Sequence, residues 1–114
     1  MNRTTVERGE VHWVSFDPVQ GSEIAKTRPA VVVSQTPFNA VRRTVVVVPL
    51  TTTQSPSAWP LLVELPTFNT RTRARTEQVR AVDKSRLRAR IGSLDPQALG
   101  VLDAALAAVL GLER

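Results

Sequence analysis

The sequence predicts a mostly β domain with one C-terminal α-helix, folded as a small, strongly curved antiparallel sheet or partly open barrel. Three observations lead there: a succession of short β-branched or alternating runs, turn residues between them, and one segment of helical spacing at the end. At 114 residues the chain fits a single core. Residues 1–8 are expected as a flexible N-terminal arm and residues 9–114 as one domain.

The first strand is expected over Glu10 to Phe16, between Gly9 and Asp17-Pro18, because Trp13 and Phe16 suit a pleated, half-buried surface. By parity Trp13 and Phe16 lie on opposite faces, and core packing is the ordinary role of each. Ala30 to Ser34 and Thr44 to Leu50 are continuous β-branched runs, apolar enough to be buried on both faces as central strands. Between them, Thr36 as N-cap and Pro37 at the first helical position allow one helical turn. Pro60 and Pro66 bracket a further strand, Leu61 to Leu65. From Thr70 to Thr76 the chain alternates Thr, Arg, Thr, Arg, Ala, Arg, Thr, which as a strand puts three arginines on one face and as a mobile loop makes a diffuse cationic cloud. Glu77 to Val82 and Leu87 to Ile91 read as two more strands around an Asp83-Lys84-Ser85-Arg86 turn. The final helix is signalled by Asp95 as cap, Pro96 at its first position, a Leu94–Leu99 staple and Gly111 as stop. Leu99, Leu102, Leu106, Val109 and Leu110 recur along it at helical spacing and are expected to pack on the sheet.

Apolar residues make up 42% of the chain, and no run approaches the roughly 20 residues of a membrane helix. The N-terminus lacks the apolar segment of a secretory signal, so a cytoplasmic address is expected. With no cysteine and only His12, disulfides, thiolate nucleophiles, cysteine-bound zinc and histidine pairs are excluded. No metal or cofactor is expected. His12, beside Trp13 within a strand, reads as structural, although a neutral imidazole can carry protons.

The net charge of +5 is unevenly placed. Residues 71 to 90 hold eight Arg or Lys against Glu77 and Asp83, a local charge of +6 on a body that otherwise sums to −1. Such a stripe fits a polyanion, nucleic acid first, or simply a solvated surface. The loop Gly21-Ser22-Glu23-Ile24-Ala25-Lys26-Thr27-Arg28-Pro29 adds a carboxylate and a guanidinium on one short connector ahead of Val31-Val32-Val33. Without thiols or a metal cluster, phosphodiester cleavage remains possible for RNA, whose own 2′-hydroxyl is the nucleophile. It needs a base, a cation over the non-bridging oxygens and a donor near the 5′ leaving oxygen. Glu23, Arg28 and the cluster Thr51-Thr52-Thr53 supply those types. Each has a plainer role: a surface ion pair worth less than about 1 kcal/mol, or hydroxyls satisfying a turn.

Several blocks resemble the MazF/PemK toxin family. Gly9-Glu10-Val11-His12-Trp13-Val14 leading to Asp17-Pro18, Gly21-Ser22-Glu23 and Thr27-Arg28-Pro29-Ala30-Val31-Val32-Val33 look like its N-terminal signature. Val48-Pro49-Leu50-Thr51, Glu77 through Leu87, and Ile91-Gly92-Ser93-Leu94 follow in the family's order, so the resemblance spans about residues 9 to 112. It implies a dimeric SH3-like small barrel and a metal-independent endoribonuclease that cuts single-stranded messenger RNA at short motifs. The products would be a 2′,3′-cyclic phosphate and a 5′-hydroxyl. By motif, Arg28 matches the catalytic arginine, Thr51 the catalytic threonine and Glu23 a glutamate proposed as base. Lys26, Thr53, Gln78, Arg80, Arg73 and Arg75 are the RNA-binding candidates. The resemblance also implies a cognate MazE-like antitoxin whose acidic, disordered tail lies over the groove.

Two departures stand out. Ile24 occupies a position where many relatives carry Gln, and the arginine alternation before Glu77 replaces a more apolar segment, making RNA grip more electrostatic if it is a strand. Two other functions are compatible with the same residues: a non-catalytic toxin of this fold that binds a protein such as gyrase, and an RNA-binding module without turnover.

Overall fold

A computed structural model describes residues 5–16, 27–52, 57–65, 68 and 71–112. Seven strands and two α-helices follow in the order β1 (Glu10–Ser15), β2 (Thr27–Val32), α1 (Thr36–Val41), β3 (Thr44–Thr51), β4 (Leu62–Glu64), β5 (Arg73–Arg75), β6 (Arg80–Asp83), β7 (Leu87–Ser93) and α2 (Pro96–Leu110). All pairings are antiparallel, in the order β4-β5-β3-β2-β1-β7, with β6 also on β3. Only a 3-10 turn, Lys84–Arg86, separates β6 from β7, yet β3, β2 and β1 lie between them in the hydrogen-bonded order. The sheet therefore curls back on itself as a partly open barrel, the expected class. Arg86 Nη1, reaching the Ser15 carbonyl at 3.4 Å, ties that corner to the end of β1.

Strand alternation divides the core in two. Val11, Val31, Val48, Leu50 and Ala74 face α2 and pack with Leu94, Ala98, Leu102 and Ala105. On the other, inner face, Val14, Phe16, Ala30, Val32, Val45, Val47 and Val82 form a second cluster. Gly9 joins the halves. Its φ of +97°, open to glycine at low cost, lets its N–H donate to Val32 O at 2.7 Å while its carbonyl accepts from Leu94 N–H at 2.9 Å. Arg8, inside the expected arm, donates from its side chain to Val33 O and Asp103, and its backbone N–H donates to Thr36 Oγ1.

The cap of α2 forms as its sequence specifies: Asp95 Oδ1 accepts from Ala98 N–H at 2.9 Å, and Gly111 adopts the left-handed conformation. Its buried stripe, however, centres on Ala98, Leu102 and Ala105, with Leu99 and Leu106 beside them, while Leu110 is exposed. In α1 the N-cap is Gln35 and not Thr36, whose hydroxyl is engaged by Arg8.

The largest departure lies between Thr70 and Val82. Among the described residues there, from 71 on, strand structure covers Arg73–Arg75 and Arg80–Asp83, separated by a 3-10 turn over Thr76–Gln78. Leu50 pairs with Ala74 and Val47 with Arg80, so partners three apart on β3 are six apart opposite, and the turn is a three-residue insertion. Pro49, with no N–H to give a ladder, stands inside that interruption. Thr76, fully buried, holds the turn in place: its hydroxyl donates to Pro60 O and its N–H to Leu61 O.

Candidate active site

At the insertion the surface opens into a polar cleft of about 270 Å³ lined by Arg28, Pro49, Leu50, Arg75 and Gln78. Four elements build it, with Pro49 and Leu50 of β3 as its floor. Arg28 is exposed on β2, opposite Val14 of β1, while Arg75 ends β5 and Gln78 closes the 3-10 turn. Because buried Thr76 anchors the turn inward, exposed Gln78 is displaced outward into the cleft. Among the described residues that line it, two are cationic and none is a carboxylate, a positive lining suited to phosphate.

Thr51 follows Leu50 at the end of β3 and is 6% exposed, opposite Arg73. Continuing the Ala30–Pro49 register by two residues brings Arg28 level with Thr51, so Arg28, Thr51 and Arg73 fall on one row across three strands. The structure thus brings Arg28, Arg75 and Gln78 to one cleft, while Thr51 is not among its lining residues but directly follows Leu50, which is. Arg73 instead lines a second cleft, of about 350 Å³, with Trp59, Glu64 and Val101. Arg80 lies on β6 opposite Val47, further along the same face. Glu23, Lys26 and Thr53 lie outside the described residues.

The basic stretch of residues 71–90 does not form one stripe. Arg75 and Arg80 run beside β3, whereas Arg88 and Arg90 are exposed on β7, paired with β1. His12 is 8% exposed on β1, its Nε2 2.8 Å from Glu10 Oε1 and its Nδ1 3.0 Å from Arg88 O. Both ring nitrogens are engaged within the fold. Phe16 packs in the inner core, the ordinary role expected of it, and its ring also carries the Arg80 guanidinium, whose central carbon is 5.2 Å from the ring centroid. Phe16 and Arg80 are 64 residues apart in the sequence, so no local pattern signals that contact, which the strand order β1-β2-β3-β6 brings about.

Fold and cleft together define a small curled-sheet domain with a cationic groove beside its central strand. The sequence model of the family described as PemK-like, MazF-like toxin of type II toxin-antitoxin system matches residues 7–110, and the chain belongs to that family. Endoribonuclease MazF6 of Mycobacterium tuberculosis is 33% identical over 94% of this chain and 98% of its own length. Endoribonuclease EndoA of Bacillus subtilis is 32% identical over 94% and 96%. Among solved structures, a mycobacterial endoribonuclease in complex with its cognate antitoxin superposes with a TM-score of 0.78 at 25% identity, covering 96% of this chain and 98% of that one. The MazE–MazF complex of Deinococcus radiodurans shares the fold, with a TM-score of 0.82 at 24% identity and coverage of 97% and 100%.

Proposed function

We propose that this toxin is a metal-independent endoribonuclease that cleaves single-stranded messenger RNA at a short sequence motif. The observation that carries the reading is the convergence of Arg28, Arg75 and Gln78, from three elements, on one cationic cleft beside Thr51. The scissile phosphate lies over Arg28. The substrate's 2′-oxygen forms a bond to phosphorus while the bond to the 5′-oxygen breaks, leaving a 2′,3′-cyclic phosphate and a 5′-hydroxyl. Arg28, a permanent cation with a planar fork of donors, neutralises the charge that builds on the non-bridging oxygens. Thr51 donates a hydrogen bond at the phosphate or the leaving oxygen from a position the barrel wall keeps fixed. Glu23, in the stretch of sequence leading to β2, takes the proton from the 2′-hydroxyl in this scheme, and the departing 5′-oxygen takes one from solvent water to become the 5′-hydroxyl. Arg75, Gln78 and Arg80, with Lys26, Thr53 and Arg73 beyond, grip the flanking nucleotides.

The relatives solved with antitoxins support a protein partner for this chain as well: a MazE-like antitoxin whose acidic, disordered tail occupies the cationic cleft in place of RNA. A homodimer acting in the cytoplasm completes the proposal.

The deciding assay incubates purified protein with defined single-stranded RNA in excess EDTA. Parent protein gives 5′-hydroxyl products, and Arg28→Ala and Thr51→Ala each lose about a hundredfold in rate, the usual cost of removing one donor to a developing oxyanion. Intact RNA with the parent, or cleavage at the parental rate by both variants, overturns the proposal; intact RNA together with growth arrest points to a protein target.

A further inference from the structure

We infer that α1 and the corner beside it form a second docking surface, taking an acidic protein segment with apolar anchors that belongs to the antitoxin; the inference rests on the antitoxin reading above. Helix α1 is inside out. Its buried side chain is the amide of Asn39, 1% exposed, whereas Phe38 and Val41 are 63% and 77% exposed. Pro37 and Ala40 are exposed as well. Asn39 supplies the attachment: its Nδ2 donates to Val6 O at 3.0 Å and to Ser34 O at 3.1 Å, and its Oδ1 accepts from the Ser34 hydroxyl. That hydroxyl in turn accepts from Val46 N–H at 3.0 Å, which ties α1 to β3. A surface helix ordinarily turns its apolar side inward. Here a polar clamp holds the element and leaves its apolar side chains in solvent, where a partner can cover them.

The surrounding charge selects the partner. Arg42 and Arg43 follow Val41 directly, both are exposed, and neither guanidinium has a hydrogen-bond partner among the described residues. Lys84 is held beside them by its N–H, which donates to Arg43 O at 2.8 Å. The neighbouring carboxylate, Asp83 opposite Thr44, is already engaged by the Ser85 amide at 2.8 Å. Cations flanking exposed aromatic and aliphatic side chains complement an acidic segment that carries apolar residues. RNA offers phosphates to the arginines but no aliphatic group to Val41 and Ala40. A second copy meeting this corner by the same surface sets like charges together. Thr44 begins β3 and Thr51 ends it, a rise of about 23 Å. An extended segment of about seven residues covers that rise, so one antitoxin chain can fill the cleft and the corner together, the second contact forming at the raised effective concentration that the first provides.

The test measures binding of the purified cognate antitoxin to the full-length parent, to Phe38→Ser, to Val41→Ser and to the double variant Arg42→Glu with Arg43→Glu. Circular dichroism first establishes that each variant is folded; titration calorimetry then reads affinity and stopped-flow mixing reads association. Phe38→Ser weakens the complex about thirtyfold, the scale of one buried aromatic anchor, and Val41→Ser about fivefold. The double charge reversal slows association and reduces its dependence on salt. Without antitoxin, all the variants cleave RNA as the parent does, because none of these residues lines the cleft. Parental affinity in every variant overturns the α1 surface and leaves the antitoxin reading standing. A parent that does not bind antitoxin overturns both. Weaker binding of uncleavable, 2′-deoxy-substituted RNA by the variants assigns the corner to RNA, and a smaller particle mass for Phe38→Ser in light scattering assigns it to a second copy; either result overturns the proposal.

Discussion

His12 is the chain's only imidazole, and removing it separates a structural role from a catalytic one. Nδ1 lies 3.0 Å from the Arg88 carbonyl oxygen and Nε2 2.8 Å from Glu10 Oε1, so both ring nitrogens have a partner within the fold. Glu10 is 7% exposed, so most of its surface is removed from solvent. His12→Ala therefore leaves a buried carboxylate and the Arg88 carbonyl without the partner each had, at a cost of about 3 kcal/mol. For a chain of this size, with a urea slope of about 1.5 kcal/mol per molar, the unfolding midpoint falls by about 2 M. Glu10→Gln, which keeps a hydrogen-bonding group against the ring, costs about 1 kcal/mol. Urea titration followed by far-ultraviolet circular dichroism reads the shift, and RNA cleavage is measured at concentrations where both variants are folded. The reasoning is refuted if His12→Ala loses less than about 0.5 kcal/mol, within the range of a neutral surface change, yet no longer cuts RNA.

Two smaller predictions concern the ends of local elements. Asp95→Ala removes the acceptor of the Ala98 N–H and lowers stability by about 1 kcal/mol, seen as a melting temperature about 4 °C lower, with RNA binding intact. The Asp83 carboxylate accepts from Ser85 N–H at 2.8 Å, and that bond, then the Ser85 hydroxyl and the Arg43 and Arg86 charges, holds its pKa below 3.8. A depressed folded-state value means that the cap contributes in full above 3.8 and is lost only as pH falls through the lower value. The Ser85 amide resonance should therefore titrate with a midpoint below 3.8; a midpoint at or above that value would contradict the cap.

Much of the fold was legible because local and tertiary preferences agree. Asp95-Pro96 and Gly111 bound α2 through bonds made within a few residues, and the valine runs of β2 and β3 are apolar on both faces because each separates two cores. The buried face of α2 was less legible. Ala98 and Ala105 lie against the sheet because small side chains permit close approach, while Leu110 projects past it. Periodicity weighs a leucine above an alanine, and packing distance reverses the order.

The segment from Thr70 to Val82 shows why the cleft itself was not legible. Its alternation is real: Thr72, Ala74 and Thr76 are buried and Arg71, Arg73 and Arg75 are not. Nothing within those six residues stops the strand. It stops because Thr76 bonds to Pro60 and Leu61, and because Pro49 interrupts the opposing ladder, contacts separated by 15 residues or more. The insertion turns Gln78 out of the sheet and opens the space beside Arg28 and Arg75. The same three-residue shift sets the register of β6, which carries Arg80. Every described element of the proposed groove is thus referred to one strand, β3, whose residues from Val47 to Thr51 are all buried. A site assembled on such a strand keeps its donors in place before substrate arrives, which is what stabilising a short-lived phosphorane demands.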